Sequence, residues 1–226
     1  MKFFSFAAAA AVVALAALPA SAAVINGDFS AGTSGWTPAG NGSFDVVTST
    51  EDGGGNLFQF GSGRPFALLT AGGPVDDPET ISSQAFDLAA NSVLSFQVAF
   101  LAFDTSDFDD NVLVTLTNND TGAVFTLFSD DIVHTGDNAT DGPFSISQAF
   151  GAGNYTFTAS VQNVGDDPTA PDEFDPMFSS KLAVANVAVT AGGVPEPTSW
   201  ALMLVGFAGL GAALRARRSA GAAQSN

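Results

Sequence analysis

Residues 23–193 predict an all-β domain, an antiparallel β-sandwich of jelly-roll type, and three observations lead there. Apolar side chains recur with period two. Clusters of Gly, Asn and Asp interrupt them at short intervals. No stretch between the two ends carries the apolar stripe of an amphipathic helix.

Taken in order, the strand candidates are Phe44–Thr48, Leu57–Phe60, Phe66–Thr70 and Thr80–Asp87, separated by Gly40-Asn41-Gly42 and by Asp52 to Asn56. Leu94, Phe96, Val98 and Phe100 then alternate with Ser95, Gln97 and Ala99, and Val112, Val114 and Leu116 with Leu113, Thr115 and Thr117. Ala123–Ser129 and Phe144–Phe150 follow. Next, Tyr155, Phe157, Ala159 and Val161 alternate with Thr156, Thr158, Ser160 and Gln162, and Lys181–Thr190 closes the set. Alternation of this kind gives each strand one face for a core and one for water. Asn118 to Gly122 and Gly151 to Asn154 supply two more turns.

Charge and composition narrow the function. Of 23 acidic residues only Glu196 lies outside 23–193, whereas four of the six basic residues do. The domain keeps 22 acids against Arg64 and Lys181, a net charge near −20. Such a surface excludes nucleic acid and anionic lipid as direct partners. The chain has no cysteine, so neither disulfides nor thiol chemistry contribute.

The two ends read as export signals. Lys2 precedes an apolar run from Phe3 to Leu18, Pro19 breaks it, and Ala20-Ser21-Ala22 offers the small residues that a signal peptidase requires. Residues 1–22 are therefore expected to be a signal-peptide helix cleaved after Ala22; the alternative is a retained N-terminal anchor. At the other end Pro195-Glu196-Pro197 stops any helix from starting upstream. From Trp200 to Leu214 no charge occurs, a run of 15 residues and so roughly 22 Å of helix, against a hydrocarbon core of roughly 30 Å. The run is short for a span. Trp200 suits one interface, and Arg215, Arg217 and Arg218 can snorkel at the other, holding their end in the cytoplasm. A transmembrane helix is expected over 199–214, with 219–226 as a cytoplasmic tail. One reading of this segment is an ordinary C-terminal anchor. The order Pro195-Glu196-Pro197, Trp200-Ala201-Leu202-Met203, Gly-rich apolar helix and Arg cluster resembles the PEP-CTERM sorting signal in its PEPxxWA form, over 194–218. The resemblance implies export across the inner membrane, recognition by an exosortase and processing near Pro195-Glu196-Pro197.

Two further resemblances concern the domain. Ala23 to Trp36, AVINGDFSAGTSGW, resembles the opening of carbohydrate-binding-module and galactose-binding-like sandwiches. Phe103-Asp104 to Asp110, Val164 to Asp167 and Ala185-Asn186-Val187 resemble a β-domain recurrent among PEP-CTERM cargo proteins. Ala185 stands where that family has an aspartate.

Three groups of residues are candidates for chemistry. Asp104, Asp107, Asp109 and Asp110 with Asp166 and Asp167 place hard oxygens on two loops, which is what Ca²⁺ takes; the alternative is solvated acid. Asn26 and Asp28 form a second Ca²⁺ candidate, against a plain strand-start turn. Trp36 is either a sugar-stacking ring or core, and Tyr155, on an alternating apolar face, is expected in the core. No catalytic residue is assigned: His134 is the only histidine, expected on an exposed loop, and no G-x-S-x-G or phosphate loop occurs. The reading that follows is a non-enzymatic structural or interaction protein of the cell surface or an exopolysaccharide-rich biofilm matrix. The alternatives are a carbohydrate-binding module for the cell's own polysaccharide and, less favoured, a hydrolase with paired aspartates.

Overall fold

The computed structural model describes residues 23–61, 63–72, 78–105, 108–164, 179–191 and 203–211. Among the described residues, thirteen strands and one helical turn make up the domain. They are β1 (Trp36–Ala39), β2 (Ser43–Val47), β3 (Thr50–Glu51), β4 (Leu57–Phe58), β5 (Phe66–Thr70), β6 (Glu79–Ser83), β7 (Phe86–Leu88), β8 (Ser92–Leu101), β9 (Asn111–Asn118), β10 (Val124–Asp131), α1 (Ile132–Thr135), β11 (Thr140–Phe150), β12 (Gly153–Gln162) and β13 (Lys181–Thr190). One sheet runs β1-β6-β12-β9-β10 with β7 beside β12; the other runs β11-β8-β13-β5-β2; β3 and β4 pair as a separate hairpin. Every pairing is antiparallel.

The predicted β-sandwich is present, and its alternating strands do what their periodicity requires. Leu94, Phe96, Val98 and Phe100 of β8, Val112, Val114 and Leu116 of β9, and Tyr155, Phe157, Ala159 and Val161 of β12 are all buried in one core between the sheets. Phe157 meets Trp36 edge-on at 5.9 Å and Phe96 of the opposite sheet at 5.2 Å. A second cluster lies on the other face of the second sheet. Phe58 and Phe60 fold over Phe66, Leu68, Ala99, Leu101, Ala183 and Ala185, with Phe58 and Phe66 each 5.2 Å from Phe60. Strands buried on both faces lose the polar half of their alternation, which is why β5 reads Phe-Ala-Leu-Leu and β13 reads Leu-Ala-Val-Ala over 182–185.

Three elements depart from expectation. Thr80–Asp87 is two strands, β6 and β7, both paired to β12. β1 contains Pro38, which an edge strand tolerates because no ladder bond is needed from it. β6 begins one residue before the expected Thr80, at Glu79, which is buried and whose carboxylate accepts the Gly42 N–H at 3.0 Å.

The C-terminal unit is described only over 203–211, a helix whose residues are all exposed. Among the described residues no helix is long and apolar enough to cross a membrane. The remainder of the expected 199–214 span lies outside the described residues, as does the signal peptide.

The two clusters predict matching costs. Phe157→Ala and Phe60→Ala should each destabilise the domain by about 3–5 kcal/mol, while Thr115→Ala on the outer face should change stability by less than about 0.5 kcal/mol. Urea denaturation followed by circular dichroism measures all three.

Candidate functional site

The connection from β10 to β11 carries the chain from the first sheet to the second, and the one histidine sits on it. At a bulge between Thr126 and Phe128 the register of β10 shifts, so that Phe128 stands opposite Val114 and Asp130 opposite Val112. Both partners face the core, so Asp130 points inward, with its side chain 4% exposed. Asp131 caps α1 by accepting the His134 N–H at 2.8 Å, and buried Ile132 anchors the turn. β11 then begins, and its Asp141 lies opposite Phe100, another core residue.

Three titratable groups therefore converge. His134 Nδ1 is 2.8 Å from Asp130 Oδ1 and 3.7 Å from Asp141 Oδ2. An ionised carboxylate can only accept, so the shorter bond places the hydrogen on Nδ1. Asp130 also accepts from the Thr135 hydroxyl at 2.9 Å and the Asp131 N–H at 3.0 Å. The Asp130 and Asp141 carboxylates thus approach one imidazole nitrogen from two strands. Burial, then the hydrogen bond and charge of Asp130, raise the Asp141 pKa above its ordinary value. The hydrogen bond and charge of Asp130 raise His134, with smaller contributions from Asp141 and Asp131. An open groove of about 390 Å³ adjoins the cluster, lined in part by Asn111, Ser129 and Asp131.

Among the described residues only Asp130, His134 and Asp141 bring three metal-ligating side chains together. Sequence reasoning missed this site. It treated His134 as an exposed loop residue, and the side chain is indeed 75% exposed, but its ring is held by Asp130.

The sequence candidates fall differently. Asp110 is buried at the end of β9's approach, where its Oδ1 accepts the Val164 N–H at 3.0 Å and its carbonyl accepts the Ile132 N–H at 2.9 Å. It ties three segments together. Asp104 Oδ1 accepts the Thr105 N–H at 2.7 Å, and Asp109 is exposed. Asp107, Asp166 and Asp167 lie outside the described residues, so the two-loop Ca²⁺ set is seen only in part.

Asn26 is fully used within its own loop. Its amide donates to the Gly32 and Ser34 carbonyls at 2.7 and 2.9 Å, and its Oδ1 accepts the Ala31 N–H at 2.9 Å. Asp28 accepts from the backbone and hydroxyl of Ser30. Between them Gly27 passes so close to β13 that a Cβ there would overlap the Val187 carbonyl oxygen. The motif Asn-Gly-Asp-Phe thus builds a turn and delivers Phe29 into the core.

Trp36 is the clear correction to the sugar-binding candidates. It is 6% exposed, stacks on Phe29 at 5.0 Å and donates its indole N–H to the Asn26 carbonyl at 3.1 Å. Neither ring face is available to a ligand. Tyr155 is buried as expected.

Two surfaces remain. On the outer face of the first sheet the registers align Thr37, Ser82, Thr158, Thr115 and Thr126 in one row across five strands. Thr80 and Ser160 stand in the next row. The row is hydroxyls without a ring. On the second sheet a recess of about 280 Å³ is lined by Arg64, Gln97 and Asn186 with Phe60 and Gly61. Asn186 sits at a bulge with φ of +53°, and its amide donates to Gln97 Oε1 at 2.7 Å.

The raised groups predict a pH dependence. A folded state that keeps protons which the unfolded chain has released is favoured at low pH. The Asp141 contribution is therefore complete below the unfolded carboxylate pKa and is lost as pH rises through its folded value; His134 behaves likewise at higher pH. Melting midpoints taken in chelator should fall as pH rises over this range. Relative to the parent chain, Asp141→Asn should flatten the acid part of the slope and His134→Gln the part nearer neutrality.

No curated protein matches the chain in sequence. Its fold is similar to several solved structures at low identity. TmCBM61 in complex with β-1,4-galactotriose gives a TM-score of 0.44 and 11% identity, over 75% of this chain and 97% of that one. The carbohydrate-binding module CBM28, specific for non-crystalline cellulose, gives 0.45 and 11%, over 75% and 95%. The K1 cleaved adhesin domain of Lys-gingipain from Porphyromonas gingivalis W83 gives 0.47 and 12%, over 74% and 96%. Residues 193–218 match the PEP-CTERM protein-sorting motif, so the chain carries the C-terminal sorting signal of exported proteins.

Proposed function

We propose that this chain is a structural or interaction protein of the cell surface or an exopolysaccharide-rich matrix, not an enzyme. Signal peptidase removes residues 1–22, the 199–214 helix holds the chain in the inner membrane, and an exosortase processes it near Pro195-Glu196-Pro197. The acidic sandwich is then displayed or released outside the cell. The observation that carries this reading is the sorting motif over 193–218, whose residues Pro195, Glu196, Pro197, Trp200, Arg215, Arg217 and Arg218 follow the order that exosortase recognition requires. The surface supports a role in association rather than turnover. Its Trp36 and Tyr155 rings are turned inward, its outer sheet presents hydroxyls, and its acids keep neighbouring copies apart.

Mass spectrometry of the protein from its native host tests this directly. The mature chain should begin at Ala23 and lack the arginine cluster. Replacing Pro195-Glu196-Pro197 with alanines should leave an unprocessed form in the inner membrane. Intact polypeptide in the cytosol with Met1 still attached would contradict the reading.

Carbohydrate binding is the second reading, and one observation favours keeping it. With Trp36 committed to the core, the recess of Arg64, Gln97 and Asn186 offers a cation, amides and an apolar wall within one concavity. Retention of the protein on the host's polysaccharide should then fall several-fold in Arg64→Ala and stay unchanged in Thr115→Ala. Equal retention of both variants would remove this reading.

A further inference from the structure

The cluster at the sheet-to-sheet crossover is not used by the export signal, the hydroxyl face or the recess around Arg64. Its donors are mixed: two carboxylate oxygens and one imidazole nitrogen, all within 4.8 Å of one another. Donors bonded at about 2.1 Å to one ion stand roughly 3–4 Å apart. The separations from His134 Nδ1 are 2.8 Å, just below that range, and 3.7 Å, within it, so small side-chain adjustments suffice to close the three around an ion.

We propose that Asp130, His134 and Asp141 form a binding site for a divalent transition-metal ion of the Zn²⁺ class. Three features beyond proximity carry this. First, Asp130 is held in place from behind by the Thr135 hydroxyl and the Asp131 N–H, the kind of outer support that orients metal ligands. Second, Asp130 and Asp141 set two like-charged carboxylates against one imidazole, a concentration of negative charge that a dication offsets. Third, both salt bridges among the described residues involve His134 itself, so neither Arg64 nor Lys181 neutralises these acids.

The nitrogen decides the metal. Imidazole suits Zn²⁺ and its neighbours, whereas Ca²⁺ prefers an all-oxygen cage of six to eight ligands. Three protein ligands leave a coordination position open, and the exposed imidazole lies beside the groove that Asn111, Ser129 and Asp131 line, where water or a ligand oxygen can enter. The ion would clamp the last residues of β10, the α1 turn and the start of β11, and so lock the passage between the two sheets.

Isothermal titration of ZnCl₂ into the chelator-treated full chain in mild detergent tests the site, with melting midpoints as a second readout. One equivalent should bind and raise the midpoint, and excess CaCl₂ should not displace it. His134→Ala changes an exposed side chain and should keep the far-ultraviolet circular dichroism, yet weaken binding by at least about tenfold. Asp141→Asn should do the same. Thr135→Val, which touches no ion, should weaken binding by about tenfold through Asp130 alone. The proposal is overturned if the parent chain takes up no Zn²⁺. It is equally overturned if folded His134→Ala binds as tightly as the parent, which would mark adventitious association with the acidic surface.

Discussion

The contact on which the rest of the molecule depends is the ring cluster of Phe157. One aromatic side chain on β12 of the first sheet meets Phe96 on β8 of the second, and Trp36 closes over it with Phe29 stacked behind. Without a disulfide, the two sheets are held together chiefly by apolar burial of this kind. The cluster also fixes the first residues of the domain. Asn26 folds its loop back on itself, Gly27 presses against β13, and Phe29 and Trp36 then have one place to go.

That commitment shapes the surface. Since Trp36 and Tyr155 are spent on the core, the outer face of the first sheet presents rows of Thr and Ser, and the outer face of the second is largely roofed by the β3–β4 hairpin with Phe58 and Phe60. Neither Trp36 nor Tyr155 is left to stack flat on a sugar ring. What the molecule offers instead is oxygen: hydroxyls on a sheet, amides beside Arg64, and carboxylates at the crossover. The sorting signal marks this body for export.

Much of this architecture was legible in the residues. β8, β9, β12 and β13 were plain because each buries one face or a continuous apolar half, and β13 spans Lys181–Thr190 as expected. β1 was not, because Trp-Thr-Pro-Ala has neither alternation nor length. The Asn-Gly-Asp-Phe stretch allows two readings, a Ca²⁺ loop or a plain turn, because the residue types that bind Ca²⁺ also satisfy their own backbone. The cluster of Asp130, His134 and Asp141 was hidden for a sharper reason. Counting by twos from the inward-facing Phe125 puts Asp131 inside and Asp130 outside, and the bulge between Thr126 and Phe128 reverses that parity. Nothing in the local sequence announces the bulge. Asp141 is likewise invisible until β11 is known to begin opposite Phe100.

The central claim, that the domain's tryptophan belongs to its interior and not to a ligand surface, rests most directly on Trp36. In a Trp200→Phe chain Trp36 is the sole indole. Its fluorescence should be blue-shifted, poorly quenched by acrylamide, and unmoved by saturating amounts of the host's polysaccharide until the domain unfolds. Emission at the wavelength of a solvated indole, or quenching by the polysaccharide in the folded protein, would contradict the account.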